Sequence, residues 1–210
     1  MGATFDGIST TTTDGDYVLW SVEDYDSPSA VLDTESGGYY YYTLKAAFSY
    51  YDTAAEEAEN DKAVNDFLNS FDVNGKSDFE IIKAVHDFIC ESCTYDNAAS
   101  KSPYTHRYAF SSYGVLVKGN AVCQGYASAF YRICKELGYG ARFVTSDPSI
   151  GNHAWNIVRL DNRYYVVDCM WDDDELEGAD VSFSRGYYFL TDYTSSLAYD
   201  DFKQQMLLAK

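Results

Sequence analysis

The stretch that decides the fold runs from His153 to Asp168 and reads HAWNIVRLDNRYYVVD. Its two strand-forming runs, His153–Leu160 and Arg163–Cys169, lie on either side of Asp161-Asn162. Two-residue hairpin loops need residues that tolerate positive φ, and Asp and Asn do so more readily than most residues. The stretch therefore predicts an antiparallel hairpin.

A two-residue loop determines which side chains of the hairpin face each other. Trp155 then lies opposite Asp168, and His153 is the diagonal neighbour of Asp168 on the same face. Diagonal neighbours lie roughly 7–8 Å apart at the backbone, a gap that an imidazole and a carboxylate close with their side chains. A three-residue loop would put the two groups on opposite faces. We therefore expect His153 to meet Asp168.

A cysteine opens a predicted helix upstream of the hairpin. Cys123 follows a Gly-Asn break and precedes a stripe of apolar residues at helical spacing, which Gly138 ends. A thiol at a helix N-terminus lies beside backbone N–H groups and the positive end of the helix dipole, and both favour the thiolate. An imidazole can take the thiol proton and a carboxylate can orient the imidazole. Cys123, His153 and Asp168 are therefore the candidate nucleophile, base and orienting acid.

Helical patterns precede these strands. Residues 77–80 read Ser-Asp-Phe-Glu, the form of a capping box, and apolar residues at helical spacing follow them. We also expect a helix over about 43–71 and a helix-like stretch over 108–118, and Ala141–Thr145 predicts a further strand. Helices followed by an antiparallel sheet indicate an α+β fold, with helices packed on the sheet and Cys123 at a helix N-terminus.

Composition limits the class of protein. A chain of 210 residues that is 46% hydrophobic fits one ordinary domain, here divided into an N-terminal extension and helical segment (1–75) and a catalytic core (76–210). No apolar run reaches the length of about 18 residues that a membrane-spanning helix needs. A net charge of −18 argues against binding to nucleic acid. The N-terminus does not resemble a signal peptide, yet the acidic, Tyr-rich composition favours an extracytoplasmic protein, secreted or at the cell surface.

Three motifs resemble those of the bacterial transglutaminase-like superfamily. They are GNAVCQGYA at 119–127, HAWNIV at 153–158, and YYVVD at 164–168 with Trp171-Asp172-Asp173 after it. The likeness covers about residues 77–195. It implies a papain-like core and gives the roles of nucleophile, base and orienting acid to Cys123, His153 and Asp168. Members include protein-crosslinking transglutaminases, cysteine peptidases, peptide N-glycanases and proteins without proven activity, so the motifs define the chemistry better than the substrate.

We therefore expect a cysteine-dependent amide hydrolase or acyl transferase, of the transglutaminase-like cysteine protease type, that needs no cofactor. Its substrate is expected to be a peptide, a protein or a peptidoglycan-like amide. Two alternatives stay open: a non-catalytic surface or binding protein that retains the fold, and a protein-crosslinking transglutaminase. Tyr113, Tyr126 and Trp155 are candidate substrate-binding residues, and a place in the core is the alternative for each.

Other polar clusters favour structural interpretations. His86, Cys90 and Cys93 fall near one face of a predicted helix, but no fourth ligand is evident, so a core or helix-surface position is favoured over a metal site or a redox pair. The acidic run Asp172–Glu175 is expected to be a solvated face rather than a calcium site. The odd count of 5 cysteines leaves at least one unpaired thiol, for which Cys123 is the natural candidate.

Overall fold

The computed structural model describes residues 21–145, 152–161, 163–173 and 191–192. The α-helices are α1 (Ala54–Ser70), α2 (Asp78–Ser92), α3 (Asn97–Lys101) and α4 (Cys123–Glu136). The strands are β1 (Val22–Tyr25), β2 (Ser29–Ser36), β3 (Tyr39–Lys45), β4 (Phe48–Tyr50), β5 (Thr94–Tyr95), β6 (Asn120–Ala121), β7 (Gly140–Thr145), β8 (Ala154–Leu160), β9 (Arg163–Val167) and β10 (Thr191–Asp192). Within these ranges no helix combines the length and the apolar character needed to cross a bilayer.

The central sheet is antiparallel, with its four strands in the order β10-β9-β8-β7. Pairing of β8 with β9 runs from Asn156 opposite Val167 to Leu160 opposite Arg163. This is the register of a two-residue loop, and Asp161 at its start has a φ of 48°. Asn162 lies outside the described residues. The register predicted for the hairpin is therefore confirmed.

Helix α4 is packed against the sheet and forms the centre of the main core. Ala127, Phe130 and Ile133 of α4 lie in one apolar cluster with Val158 of β8. The buried amide of Asn156 ties sheet and helix together, because its Nδ2 donates to the backbone carbonyl of Ala127 at 3.0 Å. Helices packed on an antiparallel sheet are the α+β arrangement that the sequence predicts.

Helix α2 begins at the predicted capping box and covers α4. The Ser77 hydroxyl accepts from the Glu80 backbone N–H at 3.3 Å, and the Glu80 carboxylate accepts from the Ser77 N–H at 2.8 Å. Ile82, Val85 and Ile89 are fully buried on the face turned to the core. The cap and the apolar stripe thus fix where α2 begins and which face it buries.

Two predicted helical stretches differ in the structure. Residues 43–45 belong to β3 and residues 48–50 form β4; these strands pair with β2 and β1. The helix begins only at Ala54. Thr53 and Glu56 form the real capping box, and the tyrosine-rich run before them has the aromatic composition of a strand. Residues 108–118 form a 3₁₀ turn at Arg107–Phe110 and a π-helical turn at Gly114–Lys118 instead of one helix.

Helix α1, which lies N-terminal to the predicted boundary at 75/76, packs on the core. Val64 and Phe67 belong to the main apolar cluster. The buried Asn60 side chain donates to the Ser112 hydroxyl at 2.8 Å. The helical segment is thus attached to the core by apolar and polar contacts, and the boundary itself stays a prediction.

Candidate active site

Cys123 is the first residue of α4 and is partly exposed. The segment before it is fixed by backbone hydrogen bonds: Thr94 N–H to Gly119 O (3.0 Å), Asp96 N–H to Ala121 O (2.9 Å) and Val122 N–H to Ala109 O (3.0 Å). Gly119 turns the chain into this segment with a φ of 72°, a value that glycine adopts at little cost. Backbone hydrogen bonds to Thr94, Asp96 and Ala109 therefore fix the residues that lead into Cys123.

The carboxylate of Asp96 supports the same segment. One oxygen accepts from Asn120 Nδ2 at 3.1 Å and from His106 Nδ1 at 2.6 Å, and the other caps α3 by accepting from the Ala98 and Ala99 N–H groups. Burial raises the pKa of Asp96, but the hydrogen bonds from Ala99 and His106 outweigh it, and the pKa lies below its ordinary value. An ionised carboxylate thus anchors the approach to Cys123.

Gly125 allows the first turn of α4 to pack closely against Ala109 and Ala121. A Cβ at this position would lie 2.6 Å from the carbonyl oxygen of Ala109 and 2.7 Å from the Cβ of Ala121. Both are closer than side chains approach in proteins, and the Ala109 contact is with rigid backbone. The absence of a side chain therefore lets α4 start where it does.

The structure brings His153 and Asp168 together at one end of the hairpin. His153 immediately precedes β8, Asp168 immediately follows β9, and His153 Nε2 donates to Asp168 Oδ2 at 2.5 Å. The other oxygen, Asp168 Oδ1, accepts from the Trp171 backbone N–H at 3.1 Å. The register of the hairpin makes the two residues diagonal neighbours, and the side chains close the remaining distance.

Two indoles stack on the imidazole. The ring centroids of His153 and Trp171 lie 4.3 Å apart with 12° between the planes, and those of His153 and Trp155 lie 5.5 Å apart with 20° between the planes. Trp155 itself packs on a second apolar cluster formed by Val144, Ile157 and Val166. The ring plane of His153 is thereby fixed by stacking as well as by its carboxylate.

His153 bonds to both of its predicted partners. Burial alone would lower the pKa of His153, but hydrogen bonds with Asp168 and with the Cys123 side chain raise it to about 9. Because Nε2 is engaged by Asp168, Nδ1 is the ring nitrogen available to the thiol. The imidazole is therefore protonated at neutral pH and lies between a carboxylate and a thiol, an arrangement that can hold and return a proton.

The structure places two of the three candidate substrate-binding residues in the core. Tyr113 and Tyr126 are only 2% and 1% exposed. Their hydroxyls donate to Glu59 at 2.8 Å and to Asp173 at 2.5 Å. This corrects the prediction for both tyrosines, since large side chains with a hydrogen-bonded hydroxyl are common in cores. Trp155 is partly exposed beside His153, and its substrate contact stays a prediction.

The sequence did not indicate that Tyr51 and Trp171 contact the site. Tyr51 hydrogen-bonds the side chain of Gln124, the residue after Cys123, and stacks on Phe110 with ring centroids 5.3 Å apart. Nothing in the local pattern around Tyr51 indicates this long-range contact. The sequence indicates Trp171 only as part of a motif, and nothing in that motif predicts that its indole stacks on His153.

The first two residues of the acidic run beyond the hairpin are buried, whereas a solvated face was expected for the run. Asp172 and Asp173 are 0% and 3% exposed, because the turn after β9 directs them to His86 and Tyr126. Residues 174 and 175 lie outside the described part of the chain. All five cysteines carry free thiols, and Cys123 is the only one of them that is not buried.

Parts of the chain are similar to known proteins. Residues 65–169 match the transglutaminase-like superfamily. Kyphoscoliosis peptidase of Mus musculus is 27% identical over 159 residues, and that of Homo sapiens is 29% identical over 146 residues. These alignments cover 69% and 62% of this chain but only 24% and 21% of the relatives, so the chain spans about a quarter of their length or less. A solved crystal structure of a TGase is 16% identical with a TM-score of 0.48, and the superposition covers 81% of this chain and 47% of that one.

Proposed function

Because the chain belongs to the transglutaminase-like superfamily, we propose that it is a cysteine-dependent amide hydrolase with Cys123, His153 and Asp168 as its catalytic triad. One observation carries the proposal: the His153 imidazole bonds to Asp168 on one side and to Cys123 on the other. Cys123 begins a helix, where the dipole favours a negatively charged sulfur. Both features support nucleophilic catalysis by these three groups.

The first half of the reaction is acylation of Cys123. The thiolate attacks the amide carbonyl, a C–S bond forms, and the oxygen of the tetrahedral intermediate accepts a hydrogen bond from N–H groups of the first turn of α4. The His153 proton then passes to the leaving amine as the C–N bond breaks. Asp168 keeps the ring in one orientation throughout.

The second half resolves the thioester. Neutral His153 takes a proton from water, hydroxide adds to the carbonyl carbon, and the C–S bond breaks to release the acid and the Cys123 thiolate. An amine in place of water would give crosslinking instead. The name peptidase carried by the curated relatives supports hydrolysis, and we propose a peptide, protein or peptidoglycan-like amide as the substrate.

Alkylation of Cys123 tests the triad without a known substrate. Wild-type protein is treated with iodoacetamide at about pH 6, where an ordinary thiol is almost wholly protonated. We expect fast modification that peptide mapping places on Cys123, and slower modification in His153→Gln. Equal rates in the two proteins would exclude an imidazole-activated thiol.

A substrate library then tests the activity. Peptides and peptidoglycan fragments are incubated with wild-type protein, with Cys123→Ala, and with Cys93→Ala as a control that removes a buried thiol. We expect new termini in the wild-type and Cys93→Ala reactions only. Incorporation of an added primary amine in place of cleavage would change the assignment to crosslinking, and cleavage that persists in Cys123→Ala would refute the mechanism.

A further inference from the structure

Four metal-binding side chains meet in the core behind the proposed triad. His86 and Cys90 of α2 and Cys169 in the turn after β9 have ligand atoms that all lie within 4.8 Å of one another. Asp172, three residues after Cys169, places Oδ2 at 3.1 Å from His86 Nε2. All four residues are buried.

The placement of these residues along the chain suits one metal ion. His86 and Cys90 are four residues apart and therefore share one face of α2. Cys169 and Asp172 are three residues apart in a tight turn, in which the Asp172 N–H donates to the Asp168 carbonyl at 3.1 Å. Two ligands from a helix and two from a turn are a common pattern of structural zinc sites.

Two of the separations between ligand atoms are close to those around a tetrahedral zinc ion. Bonds of 2.0–2.3 Å to nitrogen, oxygen and sulfur place neighbouring ligand atoms about 3.2–3.8 Å apart. Cys90 Sγ lies 3.7 Å from His86 Nε2, and the Asp172 oxygen lies 3.1 Å from the same nitrogen. The His86, Cys90 and Cys169 ligand atoms lie within 4.8 Å of one another, so these separations must shorten by up to about 1 Å around an ion. Asp172 meets the cluster through His86 and must turn toward the sulfurs to become the fourth ligand.

His86 also has the outer partner that a metal-bound imidazole needs. Its Nδ1 lies 3.0 Å from a carboxylate oxygen of Asp87, to which it donates. Such a carboxylate keeps the proton on Nδ1 and leaves the lone pair of Nε2 for a metal. Nε2 faces the carboxylate of Asp172 and the sulfur of Cys90. Either Nε2 is also protonated, so that the ring carries two protons, or the three groups bind one cation together.

We propose that His86, Cys90, Cys169 and Asp172 bind a structural zinc ion. A donor set of two sulfurs, one imidazole and one carboxylate favours zinc over magnesium or calcium, which prefer oxygen ligands. On binding, the two thiol protons and any proton on Nε2 pass to solvent, and the Cys90 thiol stops donating to the Cys169 carbonyl. The ion joins α2 to the turn that begins at Asp168, so it supports the triad without taking part in the reaction.

Metal content tests this proposal apart from activity. All measurements use the Cys123→Ala protein, because the exposed thiol beside His153 is a competing metal site. After zinc is supplied and excess removed by dialysis, we expect about one equivalent of zinc per chain, and near zero after Cys90→Ala or Cys169→Ala. Cys93→Ala is the matched control, since Cys90, Cys93 and Cys169 are each 3% exposed.

Cobalt substitution shows the ligands directly. We expect Co²⁺ to give a thiolate-to-cobalt charge-transfer band and intense tetrahedral d–d bands, which zinc then abolishes. A chelator should also lower the Tm of the zinc-loaded protein, a readout that needs no variant to fold. The proposal is overturned if the protein retains no zinc and Co²⁺ gives no thiolate band, or if Cys93→Ala loses as much zinc as Cys90→Ala.

Discussion

Trp171 stacks its indole on the imidazole of His153, with ring centroids 4.3 Å apart and 12° between the planes. The backbone N–H of the same residue donates to Asp168, the carboxylate that holds His153. One residue therefore restrains the proposed base through its side chain and the proposed orienting acid through its backbone. Trp171 is 42% exposed, so its indole covers His153 from the surface of the site.

Replacement of Trp171 should separate these two effects. Trp171→Ala keeps the backbone hydrogen bond and removes the stacked ring, so we expect His153 to lose orientation while the fold persists. A stacking contact is worth about 0.5–1.5 kcal/mol, which corresponds to a loss of about twofold to tenfold in the alkylation rate of Cys123. Trp171→Phe should recover most of the rate. Tyr104→Ala, at an aromatic that is 86% exposed, should leave the rate unchanged.

The stability of the protein should depend on pH through His153. The pKa of His153 is raised to about 9 in the folded protein, above an unfolded value of about 6.5. The bonds of the imidazolium therefore contribute fully below about pH 6.5, and this contribution is lost as the pH rises through 9. We expect the difference in unfolding free energy between wild type and His153→Gln to fall by at most about 3 kcal/mol over that range.

Urea unfolding at several pH values measures this difference. Titrating groups that do not contact His153, His86 among them, are present in both proteins and cancel when the two curves are subtracted, so the difference reports His153 together with its partners Asp168 and Cys123. A difference that stays constant from about pH 6 to 9.5 would contradict the assigned ion pair.

Gly125 should not accept a side chain although it lies in a helix. Alanine favours a helix interior by about 1 kcal/mol over glycine, but the added Cβ would meet the Ala109 carbonyl oxygen at 2.6 Å. Overpacking of this kind costs about 1–3 kcal/mol, so we expect Gly125→Ala to lower the free energy of unfolding and to slow alkylation of Cys123.

Ser128 offers the matched substitution one turn along the same helix. Its hydroxyl is buried and has no hydrogen-bond partner among the described residues. Ser128→Ala removes that desolvated group and improves helix propensity, so we expect a gain of about 0.5–1 kcal/mol by urea unfolding. If both alanine variants changed stability in the same direction, the close approach at Gly125 would not be the cause.

Arg132 joins α4 to α1 from inside the core. Its guanidinium is 1% exposed, lies 3.0 Å from a Glu57 carboxylate oxygen, and also bonds to Asp61. The Glu57 and Asp61 side chains are 28% and 55% exposed, so water can solvate them once the guanidinium is gone. Arg132→Met should therefore lower the unfolding free energy by less than the roughly 3–5 kcal/mol of a fully buried pair. Replacing Glu57 by Gln in the same protein should restore part of that loss. The absence of any recovery would mean that Arg132 acts by packing alone.

Local patterns in the sequence predicted much of the site. The two-residue loop at 161–162 gives the register that brings His153 to Asp168, and the capping box at 77–80 gives the start of α2. Both follow from interactions between residues close in the chain, which local sequence specifies well. The helix expected over 43–71 was wrong at its start because helical spacing of apolar residues coincided with a tyrosine-rich strand.

Contacts between distant parts of the chain could not be predicted. Cys169 joins His86 and Cys90 only because β9 ends beside α2, and the sequence alone suggested Cys93 as their neighbour. Asp172 and Asp173 were expected in solvent because acidic runs usually lie at the surface. Their burial depends on partners in α2 and α4 that are 86 and 47 residues away along the chain.

The turn at 168–173 bonds to three separate elements of the protein. It holds the His153 imidazole, meets α2 through Asp172 and His86, and meets α4 through Asp173 and the Tyr126 hydroxyl. We expect this turn to open cooperatively, because each opening breaks hydrogen bonds to a separate part of the protein and leaves their buried partners unsatisfied. We expect the backbone N–H groups of Trp171 and Asp172 to exchange with deuterium at the rate of global unfolding. Asp168, the proposed orienting acid, would then leave its place beside His153 only when the whole domain comes apart, so loss of activity and loss of the fold would occur together.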